Sequence, residues 1–578
     1  MAASDIEDIR ISQHKPQREF NITDYVIDLA KFDGTNWGIF NRSLLKKYKF
    51  SSTPTKLRIK KTYTDLVQCG RIEINKKLEE YITPQQALHS SGVMVVTIAT
   101  KPDKFSCKFN CHYCPNEPGQ PRSYLSDEPV LARAMECNFD TVKQFFERSK
   151  ILYGTERKLD KLEVIVVGGT WSCYDKEYQH EFITDIYYAA NIFVDMFDNK
   201  VPREKYDLQT EQKINETASC RIISITLETR PDMINASEIR RFREFGCTRV
   251  QLGIQHINDK ILTQINRRCY YADTIRAIRL LKDNGFKVDI HIMPNLPGSC
   301  AAEDIRMFDE FNNNPDLQVD QWKIYPCTVV PFTEIKKWYE AGTYKPYDDA
   351  TLMTVIRYAL VNVKPYVRIN RVIRDIPMSD IIAGVETDNV RDAIYREMAS
   401  CGIYSQDIRY REIKAKDYDG TNIKLMIRKY IASHGTEYFI SHESNDEKTI
   451  YSLLRLRING IENMCVYDDL RNVTQFGVPE HSKLHKSCTS DTVGCATVPM
   501  IRELHVYGAM IPHNKPTDEV ATQHRGLGKQ LLQCAEDISR ENGFGAIAVI
   551  SGVGVKEYYR KLGYVITTEG GYLLKKFV

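Results

Sequence analysis

No stretch of this chain approaches the ~20 consecutive apolar residues that a membrane-spanning helix needs, so no helical passage through a bilayer is expected. The opening Met1-Ala-Ala-Ser-Asp5 lacks the apolar run of a secretory signal. Cysteine is sparse: 16 scattered over 578 residues exclude a disulfide scaffold. These absences point to a reducing compartment, cytosol or nucleus. An excess of one charge is missing too. Seventy-nine basic residues against 76 acidic ones leave a net charge of +3, so any affinity for nucleic acid must come from local patches. What is present, 42% hydrophobic and 27% charged residues, is the composition of a globular protein. The length allows two or three domains with cores of their own.

One local patch lies near the start. Between Asn41 and Tyr63 stand Arg42, Lys46, Lys47, Lys49, Lys56, Arg58, Lys60 and Lys61, interleaved with Tyr48, Phe50 and Tyr63. Basic side chains can neutralise phosphates, and aromatics among them can stack on unpaired bases. A solvated helix face is the plainer reading, and this segment alone does not choose between them.

The most informative stretch is Cys107-Lys-Phe-Asn-Cys111-His-Tyr-Cys114. Three thiolates within eight residues can converge on one small object. A structural zinc site is usually closed by four ligands, and an iron–sulfur cluster normally takes four cysteines. Three cysteines leave one iron open for a ligand. The spacing C-x3-C-x2-C, with Tyr113 before the last cysteine, resembles the signature of radical S-adenosylmethionine (SAM) enzymes. The competing reading is a zinc knuckle with His112 as fourth ligand, but adjacent Cys111 and His112 point poorly at one ion.

After the cysteines the chain alternates apolar strands with amphipathic helices. The strands read as Val93–Ile98, Leu162–Val167, Ile222–Leu227, Arg249–Ile254, Lys287–Ile292 and Gln321–Tyr325. Ser237 is placed to cap a helix over Glu238–Phe245 that Gly246 ends, and Asp273 opens another that Gly285 closes. Such repetition predicts a parallel sheet with right-handed crossovers. Six strands after one cluster loop fit the partial (β/α)6 barrel of radical SAM enzymes. Chemistry in parallel barrels sits at the C-terminal ends of strands, where Gly168-Gly169-Thr170, Glu228-Thr229-Arg230, Gln255 and Met293-Pro294 fall.

The last third changes character. Leu453–Ile458 and Met500–Val506 read as alternating strands around a polar insert, and Gln523-His-Arg-Gly526-Leu-Gly528 precedes a helix pattern over Lys529–Glu541. Glycines there let backbone N–H groups approach a pyrophosphate at a helix N-terminus. Q-x-x-G-x-G between strand and helix resembles the acetyl-CoA loop of GNAT acetyltransferases. The strand Ala546–Ser551 and the helix Val555–Leu562, bearing Tyr558 and Tyr559, complete that pattern. Packing competes seriously with chemistry for one of the tyrosines.

A radical SAM barrel followed by a GNAT domain resembles the Elongator catalytic-subunit family, which modifies wobble uridine in transfer RNA. The resemblance spans roughly residues 55 to 578 and rests on long motifs, among them Ser90–Thr97, Val166–Thr170, Thr226–Asp232, Gly246–Gln255, Arg374–Pro377, Arg502–Gly508, Ile550–Gly554 and Tyr558–Tyr564. It implies a [4Fe–4S] cluster on Cys107, Cys111 and Cys114, and SAM held by Gly168, Gly169 and Glu228. Gln255 and Lys323 are implied to project into the same cavity. Acetyl-CoA is implied on Gln523, Arg525, Gly526 and Gly528, with Tyr558 and Tyr559 near its thioester. The implied reaction takes hydrogen from the acetyl methyl group with a SAM-derived radical, joins the carbon to C5 of U34, and hydrolyses the thioester to leave 5-carboxymethyluridine. Transfer RNA is the implied partner, gripped by Lys56, Arg58, Lys60 and Lys61, and Elongator-type subunits or self-association are implied besides. The expected division is 1–85 basic N-terminal region, 86–400 radical SAM domain, 401–420 linker and 421–578 GNAT-type domain.

This chain departs from eukaryotic members of the family, which usually have a longer gap, in the three residues between its first two cluster cysteines, and from its relatives in Asn266-Arg-Arg-Cys-Tyr270, where they typically read Asn-Arg-Gly-His. Two other function classes stand beside the RNA-modifying enzyme. A protein lysine acetyltransferase with a structural iron–sulfur domain is opposed by the basic segment. A non-catalytic assembly subunit is opposed by the intact cysteine triad and CoA loop.

Overall fold

The computed structural model describes residues 22–33, 37–48, 54, 56–82, 93–102, 107–153, 159–385, 389–413, 422–471, 497–508 and 526–577. Two compact units divide the chain, Met1–Leu88 and His89–Val578.

The first unit is helical: Ile22–Leu29, Trp37–Lys47, Lys56–Gln68 and Lys76–Ile82. Its core gathers Tyr25, Leu29, Phe32, Ile59, Leu66 and Ile82, with Trp37 stacked on Tyr81 at 5.1 Å. Two aromatics of the basic segment belong to this packing. Tyr63 is buried and its hydroxyl accepts from Asn75 N at 2.6 Å, while Tyr48 donates to Asp28 Oδ2 at 2.5 Å. Burial takes Tyr63 out of reach of a base, while Tyr48 is half-buried with its hydroxyl fixed. Lys47 likewise pairs with Asp28 at 2.5 Å. Lys60 is half-buried, and the side chains of Lys56, Arg58 and Lys61 lie outside the described ones.

The second unit holds two seven-stranded sheets. The first is parallel throughout and ordered β1 to β7: Met94–Ala99, Leu162–Val167, Ile222–Thr229, Cys247–Gln255, Lys287–Ile292, Gln321–Ile324 and Arg368–Val372. It is curled into a half-barrel. The six strands read from the sequence are all there. The seventh, β7, is short and polar, so hydrophobic patterning did not announce it. Along each strand one set of side chains, including Leu227, Val250, Ile290 and Trp322, packs under helices through Phe242, Ile278, Phe308 and Val355. From β3 to β6 the alternate set turns inward and is polar. Helix starts are satisfied locally. Asn235, rather than Ser237, caps Ala236–Glu244 by accepting from Glu238 N at 3.1 Å. Asp273 serves Tyr271–Asp283 by accepting from Tyr270 N at 3.0 Å.

The second sheet is mixed, in the order β13-β14-β12-β11-β10-β9-β8. Its strands are β8 Lys424–Ala432, β9 Gly435–Glu443, β10 Ile450–Ile458, β11 Met500–Val506, β12 Ala546–Val549, β13 Val565–Ile566 and β14 Leu573–Lys576. It closes on the N-terminal ends of the barrel strands. A side chain at Gly552 or Gly554 would collide with the backbone of Ile223 or Ile222 at the start of β3, so the Ile550–Gly554 motif serves close packing. Buried charges join the two sheets: Arg502 donates to Asp320 Oδ1 at 2.5 Å and to Glu437 Oε2 at 2.9 Å. Arg457 reaches Asp283 at 2.5 Å, Arg455 lies 3.6 Å from Asp320, and Lys282 lies 3.3 Å from Glu437.

Candidate active site

The cysteine loop follows β1 on the C-terminal side of the half-barrel. Cys111 is buried, Cys107 and Cys114 are half-buried, and their sequence positions are bridged by Cys114 N donating to Cys111 O at 3.1 Å. Two arginines meet the loop, Arg230 directly after β3 and Arg267 just after the helix Asp259–Gln264. Arg230 Nη1 lies 3.8 Å and Arg267 Nη1 3.6 Å from Cys111 Sγ. Arg230 is fixed from every side: its guanidinium stacks 3.5 Å over Phe109, pairs with Asp232 at 2.9 Å and donates to Arg267 O at 2.9 Å. A hydrogen bond from the Cys173 thiol, with help from the Phe109 N–H and from Arg122 and Arg230, brings the Cys107 thiol down to about 6 against the pull of burial. Burial, then the neighbouring Cys111, pushes Cys114 up to about 11.

His112 takes no part. Its backbone N–H donates to Ile265 O at 3.0 Å, its Nδ1 sits 3.2 Å from Gln264 O, and its ring packs edge-on against Trp338. Among the described residues no three His, Cys, Asp or Glu side chains converge on one metal-ion position, and the contacts of the His112 ring count against the zinc-knuckle reading. A four-iron cluster places each thiolate on a separate iron and so needs them spread rather than convergent. Three soft sulfurs beside two fixed cations fit such an anionic group.

Gly168 and Gly169 end β2 with φ of 134° and 94°. A Cβ at Gly168 would fall on Thr100 Oγ1, so only glycine allows this close approach of the end of β2 to that of β1. The Tyr174 hydroxyl holds the turn by donating to Gly168 O at 2.7 Å. Gln255 ends β4 in the left-handed region, φ 74°, an unusual conformation for a residue with a side chain. Glu228 ends β3 with Oε1 3.4 Å from His291 Nδ1; burial raises its carboxyl while Lys323 and Arg374 oppose. Lys323 on β6 donates to Gln251 Oε1 at 2.8 Å, and burial lowers its ammonium against Asp289 and Glu228.

Below this mouth the lumen is a polar column that the sequence reading missed. Arg249 pairs with Glu163 and donates to Thr226 Oγ1 and Gln321 Oε1, both at 3.0 Å. Asn370 donates to Gln321 Oε1 at 2.7 Å and Asp289 Oδ2 at 2.9 Å. The signal was present as polar residues at every second strand position: Thr226 and Glu228, Arg249 and Gln251, Asp289 and His291, Gln321 and Lys323. Arg374, in the turn after β7, braces the rim by donating to Glu128 Oε1 at 2.7 Å.

The second sheet carries a wedge. The parallel strands β11 and β12 pair at only two positions, Met500 with Ala548 and Ile501 with Val549, while β11 runs on to Val506. The helix Leu527–Glu541 opens at Gly526, whose φ is 83°. Nothing lies within 4 Å of a Cβ built there, so backbone conformation rather than crowding calls for glycine. Gly528 lies close to the Tyr558 hydroxyl, which would stand 3.3 Å from a Cβ at that position. Tyr559 is buried against Tyr564 in the core of this sheet. Gln523 and Arg525 lie outside the described residues.

Comparison with known proteins agrees with this geometry. Residues 105–309 match the radical SAM superfamily and residues 319–400 the radical SAM C-terminal domain. The chain is 35% identical over 550 residues to a tRNA uridine(34) acetyltransferase of Methanocaldococcus jannaschii, covering 90% of this chain and 94% of that protein. It is 32% identical over 546 residues to human Elongator complex protein 3, covering 92% and 91%. The solved archaeal Elp3 of Methanocaldococcus infernus with residues 1–46 deleted superposes with a TM-score of 0.67 at 34% identity, covering 84% of this chain and all of that one. A parallel half-barrel with three cysteines at its mouth, a mixed sheet beneath it, and a third of all residues shared over nine-tenths of the chain place this protein in the Elongator complex protein 3 family of radical SAM enzymes.

Proposed function

We propose that the protein is a transfer-RNA modifying enzyme that uses SAM and acetyl-CoA to place a carboxymethyl group on C5 of the wobble uridine. The observation that carries this reading is the pairing in one compact unit of a thiol-lined barrel mouth with a glycine-opened wedge. Lysine acetylation alone needs no polar-lumened barrel.

When bound, a cluster and SAM supply the one-electron chemistry that makes the acetyl methyl carbon reactive toward C5 of uracil. The chain's own residues position and protect. Cys107, Cys111 and Cys114 hold the cluster, with Arg230 and Arg267 balancing its charge. Gly168 and Gly169 receive the amino end of SAM through open backbone, with Glu228 and Gln255 beside them. Lys323, whose ammonium is lowered by burial against Asp289 and Glu228, donates a hydrogen bond within the lumen to Gln251. Gln523, Arg525, Gly526 and Gly528 take the CoA pyrophosphate at the helix N-terminus. Lys56, Arg58, Lys60 and Lys61 contact RNA phosphates. We assign residues 1–85 to RNA contact, 86–400 to radical chemistry, 401–420 to a linker and 421–578 to acetyl-CoA. Among the described residues no helix is long and apolar enough to cross a membrane, and the proposed setting is the cytosol or nucleus, alongside Elongator-type subunits.

Mass spectrometry of wobble nucleosides from cells lacking this protein is the direct test. Loss of 5-carboxymethyluridine and its derivatives is the expected result; unchanged nucleosides with loss of specific lysine acetylation would favour the acetyltransferase reading. The tyrosines give a second test. Tyr558→Phe removes the hydroxyl beside Gly528 and is expected to slow acetyl-CoA turnover ~100-fold, the low end of what a proton donor supplies, with CoA binding retained. Tyr559→Phe alters a core residue and is expected to leave turnover within about threefold. Equal effects of the two would return Tyr558 to packing.

A further inference from the structure

A cavity of about 420 Å³ lies outside the barrel mouth, against the edge strand β1 and the helices Pro129–Glu136 and Thr141–Tyr153. Its floor is closed by Gln144, which accepts from Ala99 N and donates to Ala99 O, both at 3.0 Å, and so satisfies the strand's free edge. Arg133 and Arg148 line its walls and are half-buried, while Lys143, Glu136 and Glu147 are exposed.

The two arginines differ from the carboxylate-paired cations of the barrel lumen and of the contact between the sheets. Arg249, Arg455, Arg457 and Arg502 each meet a carboxylate. Arg148 has a buried Nε with no hydrogen-bond partner. Loss of water lowers both guanidinium pKa values, and for Arg133 the nearby Arg148 charge lowers it further, opposed by Glu136. Two like charges, partly stripped of water and with no carboxylate at ion-pair distance among the described residues, cost stability. The arrangement becomes favourable when an oxyanion enters between them, because guanidinium forks bind phosphate oxygens in parallel pairs. Glu136 and Glu147 at the rim oppose an anion and so temper the affinity of the two guanidinium groups. The cavity opens at the lateral edge of the half-barrel, on β1, the strand that leads into the cysteine loop.

We propose that Arg133 and Arg148 form a phosphate-binding pocket that seats a backbone phosphate of the RNA substrate. The source of the phosphate rests on the transfer-RNA reading above; the pocket's chemistry rests on the cavity alone. Such a contact fixes the register of the RNA along the barrel edge without reading its sequence.

The test is the anisotropy of fluorescent transfer RNA titrated with full-length protein between about 50 and 200 mM salt. Arg133→Gln with Arg148→Gln is expected to weaken binding about tenfold or more, the scale of a charged hydrogen-bond pair. It should also flatten the salt slope by about 0.7–0.9, one phosphate contact. The same variant, without RNA, is expected to melt no lower than wild type, since the charges it removes are unpaired; a purely structural role for the arginines would lower the melt. Glu136→Gln with Glu147→Gln leaves both arginines in place and is expected to tighten RNA binding about two- to fivefold. Wild-type binding of RNA with affinity and slope unmoved in both variants overturns the pocket while leaving the function reading intact. Absence of RNA binding by wild type overturns the reading, and the RNA source with it. A melt of wild type raised by inorganic phosphate or a nucleoside monophosphate, dependent on the two arginines while RNA binding is not, assigns the pocket to a small phosphate and overturns the RNA source alone.

Discussion

Cys111→Ser is expected to yield protein that folds but holds essentially no iron after anaerobic reconstitution, where wild type takes up about four irons and four sulfides. Cys111 is the buried member of the triad, and its sulfur faces Arg230 and Arg267 at 3.8 and 3.6 Å. That setting favours a negatively charged ligand. A serine hydroxyl is a hard oxygen donor that stays protonated at neutral pH and cannot replace a soft thiolate. The substitution changes volume little, so the half-barrel should keep its far-UV dichroism and its melt. Nucleoside modification is expected to disappear with the visible absorption of the cluster. Stoichiometric zinc in anaerobically purified wild type, or iron retained by the serine variant, would contradict the cluster assignment.

The largest expected effect on stability comes from Arg502→Leu. Arg502 is fully buried and bridges Asp320 of the barrel to Glu437 of the mixed sheet. Four cations, Lys282, Arg455, Arg457 and Arg502, meet four anions, Asp283, Asp320, Glu437 and Glu503, across this contact. Removing one member of such a network leaves buried charge uncompensated and typically costs about 3–5 kcal/mol. A lower urea midpoint is the measurement, and a midpoint within error of wild type would show that neighbouring cations absorb the loss. The network also sets acid sensitivity. Despite the opposing pull of burial, Arg502 and Lys282 hold the Glu437 carboxyl down at about 2 from its ordinary 4.5, and Arg502 and Lys282 hold Asp320 below the usual carboxylate range. Depressed folded pKa values mean stability that is fully present above the unfolded pKa and lost as pH falls through the folded one. Wild type should therefore weaken progressively below about pH 4.5, and Arg502→Leu should flatten that dependence. Lys282 acts at the other end: burial lowers it to about 8 from 10.5, so the cost of its buried charge is relieved as pH rises from about 8 to 10.5.

Local sequence determined a good deal of this protein. The apolar runs from Met94 to Ile324 predicted six parallel strands because buried strands must be continuous on their helix-covered face. The cysteine spacing and the glycines at 168, 169 and 526 marked loops where the backbone itself must be open, and positive φ at all three shows why no other residue serves there. The lumen was encoded too, in the polar residue at every second strand position, but partners such as Arg249 and Glu163 lie 86 residues apart, and pairing at that distance is a property of strand order. The same holds for Tyr63, whose place among basic residues suggested stacking on bases but whose ring is buried in the helical unit with its hydroxyl accepting from Asn75. Tertiary structure alone decided which of two adjacent tyrosines faces the glycine loop, which arginines stand against Cys111, and that the mixed sheet is bolted to the barrel by buried ion pairs. The physical reason is common to all three. Composition and periodicity report which surfaces avoid water, whereas the partner of a charge or a hydroxyl is fixed only when distant segments are brought within hydrogen-bond distance.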